Sequence, residues 1–487
     1  MITIPILCLF SACGSGEKLD FPPGFIWGAA CSAYQTEGDN FKNDWYQWEK
    51  INSFIGTPAG KAVNSYVLYD TDAKLVKDIN LNSFRFSVEW SRVEPERGVW
   101  DDAEIEHYRQ VLTSITSRGI RPFLTLHHFT NPLWVMNLDH QQVPIADLGG
   151  WENPETAVEF AEYAGKLARE YGDQVDYWLT INEPIIIALS GYLYGLYPPG
   201  ERVFSPGQIT QKVIPVMKNL ITAHALAADA IRANDLVDAD GDGRATVVGL
   251  AESVVLWDPY PPDDPQAQAA ARRLDQFYSK NLFDSLTAGG FDDNLDGVAD
   301  DTRTEWQGRL DFIGFNYYNH WYVVNIPLLP APIAALPCIS FRGLDLSQLG
   351  VGCPAQIGEK SDMGYEIYPE GIYRILKDLS GRYTVPILIT ENGIATTDGE
   401  KRAQFLADHL RWVHRAVSEG MNVIGYIYWS LTDNWEWGTF TPRFGLYTVD
   451  YQNNYERQLN RGGEVMGEIA ECNCLSLGIL KRYPVRK

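Results

Sequence analysis

The chain has 487 residues, of which 45% are hydrophobic and 13% aromatic, enough for a large core and unlike a disordered composition. Its formal net charge of −23 would repel nucleic-acid phosphates and anionic membrane surfaces, so no nucleic-acid partner is expected and a neutral ligand fits best. The length allows two or three average domains, but no linker-like segment divides the chain, and one large barrel with insertions accommodates it.

The N-terminus reads MITIPILCLFSACGSGEKLD. An apolar run from Ile2 to Phe10 followed by Ser11, Ala12, Cys13 and Gly14 has the layout of a secretory leader. The FSACG stretch is similar to a bacterial lipobox. It predicts an exported, periplasmic or cell-surface protein with a lipid anchor at Cys13, a cytoplasmic location being the alternative. Two features depart from that pattern: no Lys or Arg precedes the run, and Phe10 stands where Leu is usual. The run is too short to span a bilayer. Residues 1–20 are read as leader and linker, and 21–487 as the folded body.

From there short apolar runs alternate with longer amphipathic ones. Candidate strands cover 25–30, 83–90, 121–128, 176–184, 246–253, 311–318, 386–393 and 423–433. Helical periodicity fills the intervals, most clearly at 105–119, 154–172 and 402–420. Eight strands with helix-length crossovers predict an α/β fold, a single (β/α)8 TIM barrel with long βα loops. A doubly wound sheet would not need eight strands, and no GxGxxG turn supports one.

Two acids then fall at strand ends. Glu183 ends the fourth strand in TINEP, and Glu391 ends the seventh in ITENG. Alone, either reads equally as a carboxylate capping a turn. In a barrel, however, these ends converge on one face. Two facing carboxylates among many aromatics, with no phosphate loop, suggest glycosidic bond cleavage, one acid protonating the departing oxygen and the other attacking or activating water. Arg85, near the end of the second strand, is placed to hold Glu391 ionised or to form a structural ion pair. Asn182 reads either as a donor to a sugar 2-hydroxyl or as turn chemistry before Pro184.

At these residues the sequence resembles glycoside hydrolase family 1, the retaining β-glucosidase family. FIWGAACSAYQTEG, FRFSVEWSRVEP, WLTINEP, LITENGI and YWSLTDNWEWGTFTPRFGLYTVD carry the likeness in order, over about Phe21 to Asp450. The resemblance implies Glu183 as general acid/base and Glu391 as nucleophile. It further implies that Gln35, His128, Asn182, Glu436 and Trp437 hold the sugar at the non-reducing end and that Trp429 forms a stacking floor. Asn316 and Tyr318 would support the nucleophile, and Arg85 would pair with it. No cofactor is implied for catalysis. The expected substrate is a neutral β-glycoside or oligosaccharide, because Glu436 stands where phosphosugar-specific relatives carry Ser and a Lys-x-Tyr cluster. Galactosides and fucosides are close competitors of glucosides. A transglycosylase on the same intermediate and a non-hydrolytic sugar-binding lipoprotein are the alternatives. The chain departs from the family in HHFTNP (127–132), where His127, Thr130 and Asn131 replace an aromatic and an Asp-Leu pair, and in a tail lacking Arg-x-Pro-Lys, which leaves the last helix open.

Two acidic loops stand apart. Asp238, Asp240 and Asp242 before Gly243, and Asp292, Asn294 and Asp296 before Gly297, follow the opening of a calcium loop without its bidentate Glu. Each reads equally as a structural calcium site, on the face opposite the strand ends, or as a solvated acidic turn. Cys338 and Cys353 flank a Pro- and Gly-rich insertion (327–358) and are candidates for a disulfide in an oxidising compartment. Cys472 and Cys474 are near neighbours, and Cys31 lies in an apolar strand. Oligomeric state has no signature in the sequence.

Overall fold

The computed structural model describes residues 18–486 except 53–54, 139–146, 204, 327–334, 339, 342–343, 346–352 and 355–357. The expected leader, with Cys8 and Cys13, lies outside the described residues up to position 17. Leu19–Asp20 already pairs antiparallel with Cys474–Leu475, tying the two ends of the folded body together.

Eight parallel strands close into a barrel: β1 (Ile26–Ala30), β2 (Ser83–Ser87), β3 (Arg121–His127), β4 (Tyr177–Asn182), β5 (Val247–Ser253), β6 (Ile313–Tyr317), β7 (Ile387–Asn392) and β8 (Val423–Trp429). Each falls within the run expected from the sequence. All are shorter than expected, the eighth most of all. After Ser87 the chain turns into a short helix, Trp90–Val93, that places Trp90 on the ring of Tyr163 in the outer layer. Outer helices follow in turn: α1 (Ser65–Asp78), α2 (Asp102–Thr116), α3 (Glu155–Tyr171), α4 (Ile214–Asn234), α5 (Asn281–Ala288), α6 (Glu370–Arg382), α7 (Gly399–Ser418) and α8 (Arg461–Cys472). The (β/α)8 expectation is thereby met, including the last helix.

Local chemistry sets the helix starts. The Asp101 and Asp398 side chains each accept two backbone N–H groups at the first turns of α2 and α7. On α3, Ala157, Phe160, Ala164, Leu167, Ala168 and Tyr171 form an i, i+3, i+4 stripe that is buried against the barrel and α4. Inside the barrel, Ile26, Phe123, Leu179, Val247, Phe312, Leu388 and Ile427 pack into one apolar plug, continuous with Trp429 and Phe444 at the strand ends. The active face therefore rests on a dry, filled core.

Past β6 the chain adds a small sheet in which His320–Asn325 pairs with Leu256–Pro259 and Ala335–Pro337. Cys338 and Cys353 of this insertion are joined, with an S–S distance of 2.02 Å. Cys472 and Cys474 are also joined, while Cys31 is free.

Register shifts mark the ends of two strands. Leu179 pairs with Gly249 and Asn182 with Ala251, so β4 carries one residue more than β5 over the same stretch. Likewise Ile389 pairs with Tyr426 and Asn392 with Tyr428, giving β7 one extra residue beside β8. Such bulges re-aim side chains, and these two lie immediately before Glu183 and around Glu391. Gly393 follows the second. A Cβ there would lie 1.9 Å from the Trp429 carbonyl oxygen, so β7 and β8 approach this closely only with glycine. Gly393→Ala is expected to destabilise by about 1–3 kcal/mol and to lower activity, because it pushes Glu391 and Trp429 apart. Gly381→Ala, in α6 with open space around it, should instead be neutral or stabilising by up to ~1 kcal/mol. Thermal unfolding and kcat/KM of the two variants side by side check this.

Candidate active site

The site is built around Arg85, whose side chain is 1% exposed. It projects from β2 and donates to Glu391 Oε1 at 2.6 Å, the Thr390 carbonyl at 3.2 Å, Asn182 Oδ1 at 2.7 Å and Thr125 Oγ1 at 3.1 Å. One guanidinium thus joins β2, β3, β4 and β7. The other Glu391 oxygen accepts from the Tyr318 hydroxyl at 2.9 Å. Burial raises the Glu391 carboxyl above its usual range, while the adjacent Arg85 charge and the Tyr318 hydrogen bond oppose the rise.

Glu183 sits opposite with no cation in contact among the described residues. Its Oε1 accepts from Asn316 Nδ2 at 2.9 Å. Burial, and then the charge of Glu391, pushes its carboxyl up to about 8. The pair is therefore asymmetric: Arg85 beside Glu391 favours its ionised form, and Glu183 has no such partner. Its backbone is in the left-handed region, with φ 46° and ψ 62°, a strained conformation for a side-chain-bearing residue.

Asn316 serves both carboxyls. Expected to support Glu391, its amide nitrogen donates to Glu183 Oε1 and, at 3.2 Å, to Asn182 Oδ1. It also helps to lower Glu391. The end of β6 lies beside Glu391 on β7 and reaches across β5 to Glu183 at the end of β4. Tyr318 is where it was expected.

The expected sugar-binding residues come together. Gln35 Nε2 donates to Glu436 Oε2 at 3.2 Å, and Ser32 Oγ donates to Gln35 Oε1 at 2.7 Å, which orients the amide. Asn182 Nδ2 lies 3.3 Å from His128 Nε2. The His128 ring is nearly parallel to those of Trp429, 5.8 Å and 17° away, and Trp437, 6.3 Å and 12° away. Burial and the Arg85 charge keep this imidazole neutral.

The unusual HHFTNP segment is explained by a residue the sequence reading missed. Asp44, wholly buried, accepts from Asn131 Nδ2 at 2.7 Å, from the Asn131 N–H at 2.9 Å and from the Trp45 N–H at 2.8 Å. Asn131 Oδ1 in turn lies 3.1 Å from His127 Nε2. Thr130 donates to the buried Glu89 at 2.7 Å. His127, Asn131 and Asp44 thus form one chain behind His128, and Trp45 next to Asp44 packs on Trp437 at 4.5 Å. The available signal was Asn131 itself, since a polar side chain at a buried position demands a partner.

Of the calcium candidates, Asp238 and Asp240 bring a carboxylate oxygen each within 4.8 Å of one from buried Asp176, which the sequence reading did not include. Asp240 is also paired with Arg121 at 2.7 Å. Asp242 accepts the Arg244 N–H. Asp292, Asn294 and Asp296 accept backbone N–H groups of their own loop. Among the described residues, Asp292 and Asp296 belong to no group of three or more His, Cys, Asp or Glu side chains spaced to hold a metal ion.

The chain's similarities agree with this site. Residues 17–474 match the family described as Glycosyl hydrolase family 1. The chain is 32% identical to a β-galactosidase of Pyrococcus woesei, covering 88% of this chain and 93% of that protein. It is 31% identical to β-glucosidase 25 of Oryza sativa subsp. japonica, covering 93% and 95%. The solved β-glycosidase of Pyrococcus horikoshii superposes with a TM-score of 0.82 at 34% identity, covering 97% of this chain and 99% of that one. The chain belongs to glycosyl hydrolase family 1. It is a β-glycosidase.

Two outcomes follow from the geometry. Arg85→Met leaves Glu391 buried without its cation; unfolding should become easier by about 3–5 kcal/mol and turnover should fall steeply, read by chemical denaturation and initial rates. The second concerns pH. Burial pushes Asp44 and Glu94 up to about 7 and Glu89 up to about 8. Folded pKa values above the unfolded ones mean that stability from these groups is present at low pH and is lost as pH rises towards 7–8. His127, His128, His224 and His409 are depressed by burial, so their contribution is present above about 6.5 and lost below it. Tm should therefore fall between pH 6.5 and 8, where the carboxyls still lose stability and the imidazoles add none. Asp44→Asn should make the fall up to about pH 7 shallower; a fall of unchanged steepness there would remove Asp44 from this account.

Proposed function

We propose that the chain hydrolyses terminal non-reducing β-D-glucosides, with β-D-galactosides and β-D-fucosides as secondary substrates, by double displacement through a covalent glycosyl-enzyme intermediate. The observation that carries this reading is the unequal environment of the two carboxyls. Glu391 is ion-paired to Arg85, and Glu183 has only a neutral amide. A nucleophile must be ionised and a general acid protonated at the same pH, and this arrangement supports that division.

In the first step Glu391 attacks the anomeric carbon while Glu183 gives its proton to the departing oxygen. In the second, Glu183 takes a proton from water as that water attacks the same carbon and releases Glu391. The Asn182 amide, held through its oxygen by Arg85, is available to the sugar 2-hydroxyl. Gln35 and Glu436 form one hydrogen-bonded unit suited to the far hydroxyls. The Glu436 carboxylate accepts from hydroxyls and repels a phosphate, which favours neutral sugars. The apolar Ile2–Phe10 run, FSACG and the Cys338–Cys353 bond together support export to an oxidising compartment.

Release of sugar from 4-nitrophenyl β-glucoside, followed by NMR beside Glu391→Ala, tests the proposal. The β-anomer should appear first with wild type and be absent with the variant. The α-anomer appearing first would make the enzyme inverting, and silence on the glucoside, galactoside and fucoside alike would favour the sugar-binding alternative. The kcat/KM profile should fall as pH rises through about 8, as Glu183 loses its proton.

A further inference from the structure

A third buried carboxyl stands beside these two and has no part in the steps above. Glu252 is the second-last residue of β5, in GLAES, and is completely buried. Its Oε1 accepts from the Ser253 N–H at 2.6 Å and its Oε2 from the Ile185 N–H at 3.3 Å. No Lys, Arg or His pairs with it among the described residues. A carboxyl in such a place is expensive unless it does something a hydrocarbon could not.

Ile185 lies two residues past Glu183. The Glu183 N–H itself donates to the Ala251 carbonyl at 2.6 Å. Consecutive residues of β5 therefore hold both ends of the turn that carries Glu183: the Ala251 carbonyl at its start and the Glu252 carboxyl at its end. That turn has the left-handed backbone at Glu183 and follows a bulge in β4. A strained residue of this kind keeps its conformation only when its surroundings over-determine it.

We infer that Glu252 is a positioning residue for Glu183, a neutral carboxyl that anchors the turn aiming Glu183 at the departing oxygen. The inference rests on the reading of Glu183 as the general acid/base. The unequal contacts fit a protonated carboxyl, its carbonyl oxygen on Ser253 and its weaker-accepting hydroxyl oxygen near Ile185. Burial favours that proton, and any ionisation of Glu183 favours it further. A leucine would fill the volume but strip two buried N–H groups of their acceptor.

The test compares methyl β-glucoside, whose leaving alkoxide needs a proton, with 2,4-dinitrophenyl β-glucoside, whose leaving group does not. For Glu252→Leu, kcat/KM should fall about 10²-fold on the first and within about threefold on the second. Glu252→Gln, the neutral isostere, should recover most of that loss and leave the alkaline limb in place. Glu183→Gln, run alongside, should show the same split in larger measure. If it shows none, the assignment of Glu183 fails rather than that of Glu252. If Glu183→Gln shows the split while Glu252→Leu loses both substrates equally, or neither, the anchor is wrong. Glu252→Gln falling as far as Leu would also overturn it. Should the leucine variant not fold, the alkaline limb of Glu252→Gln decides: unchanged supports a neutral anchor, and displacement by about one pH unit refutes it.

Discussion

One buried guanidinium organises the catalytic face. Arg85 reaches Glu391, Asn182, Thr125 and the Thr390 carbonyl at once, so a single charge both binds four strand ends together and breaks the symmetry of the two carboxyls. A guanidinium suits this task better than an ammonium, because its fixed fork of donors meets several acceptors in defined directions. Stability follows from the same contact. A charge so deeply buried is tolerable only while its partner is present, and the arrangement that supports chemistry is therefore also one the fold cannot readily lose.

Strain is concentrated where aim matters. Bulges in β4 and β7 and a left-handed backbone at Glu183 would weaken an ordinary sheet. Here the barrel absorbs them, because the plug of Ile26, Phe123, Leu179, Val247, Phe312, Leu388 and Ile427 fixes the strands just beneath. A filled interior gives rigid strand ends, and irregular backbone at those ends then turns side chains toward a common point. Among the described residues no cation contacts Glu183, which is held by the neutral Asn316 amide.

Behind His128 the chain builds a polar support. His127, Asn131 and Asp44 are joined by hydrogen bonds at the heart of the site. Such a chain works only whole: removing one member leaves another buried and unpaired. Two of its members, His127 and Asp44, titrate, so the support is sensitive to pH, as packed hydrocarbon would not be.

Much of this was legible in the residues themselves. Hydrophobic runs of strand length between helix-length periodic segments specify eight strands and their order, because a parallel strand buried on both faces must be apolar throughout. Glu183 and Glu391 stood out because each interrupts such a run at its end. What the sequence by itself determined, then, was the barrel, the face that carries chemistry and the residue types gathered there. Only the tertiary structure decided how those residues divide the work: that Asn316 serves Glu183 more directly than Glu391, that Asp44 answers Asn131 across 87 positions, and that Glu252 lies against the turn after Glu183. Strand position is a local property read from periodicity, whereas hydrogen-bond partnership depends on bulges and registers that bring distant strand ends within about 3 Å of one another.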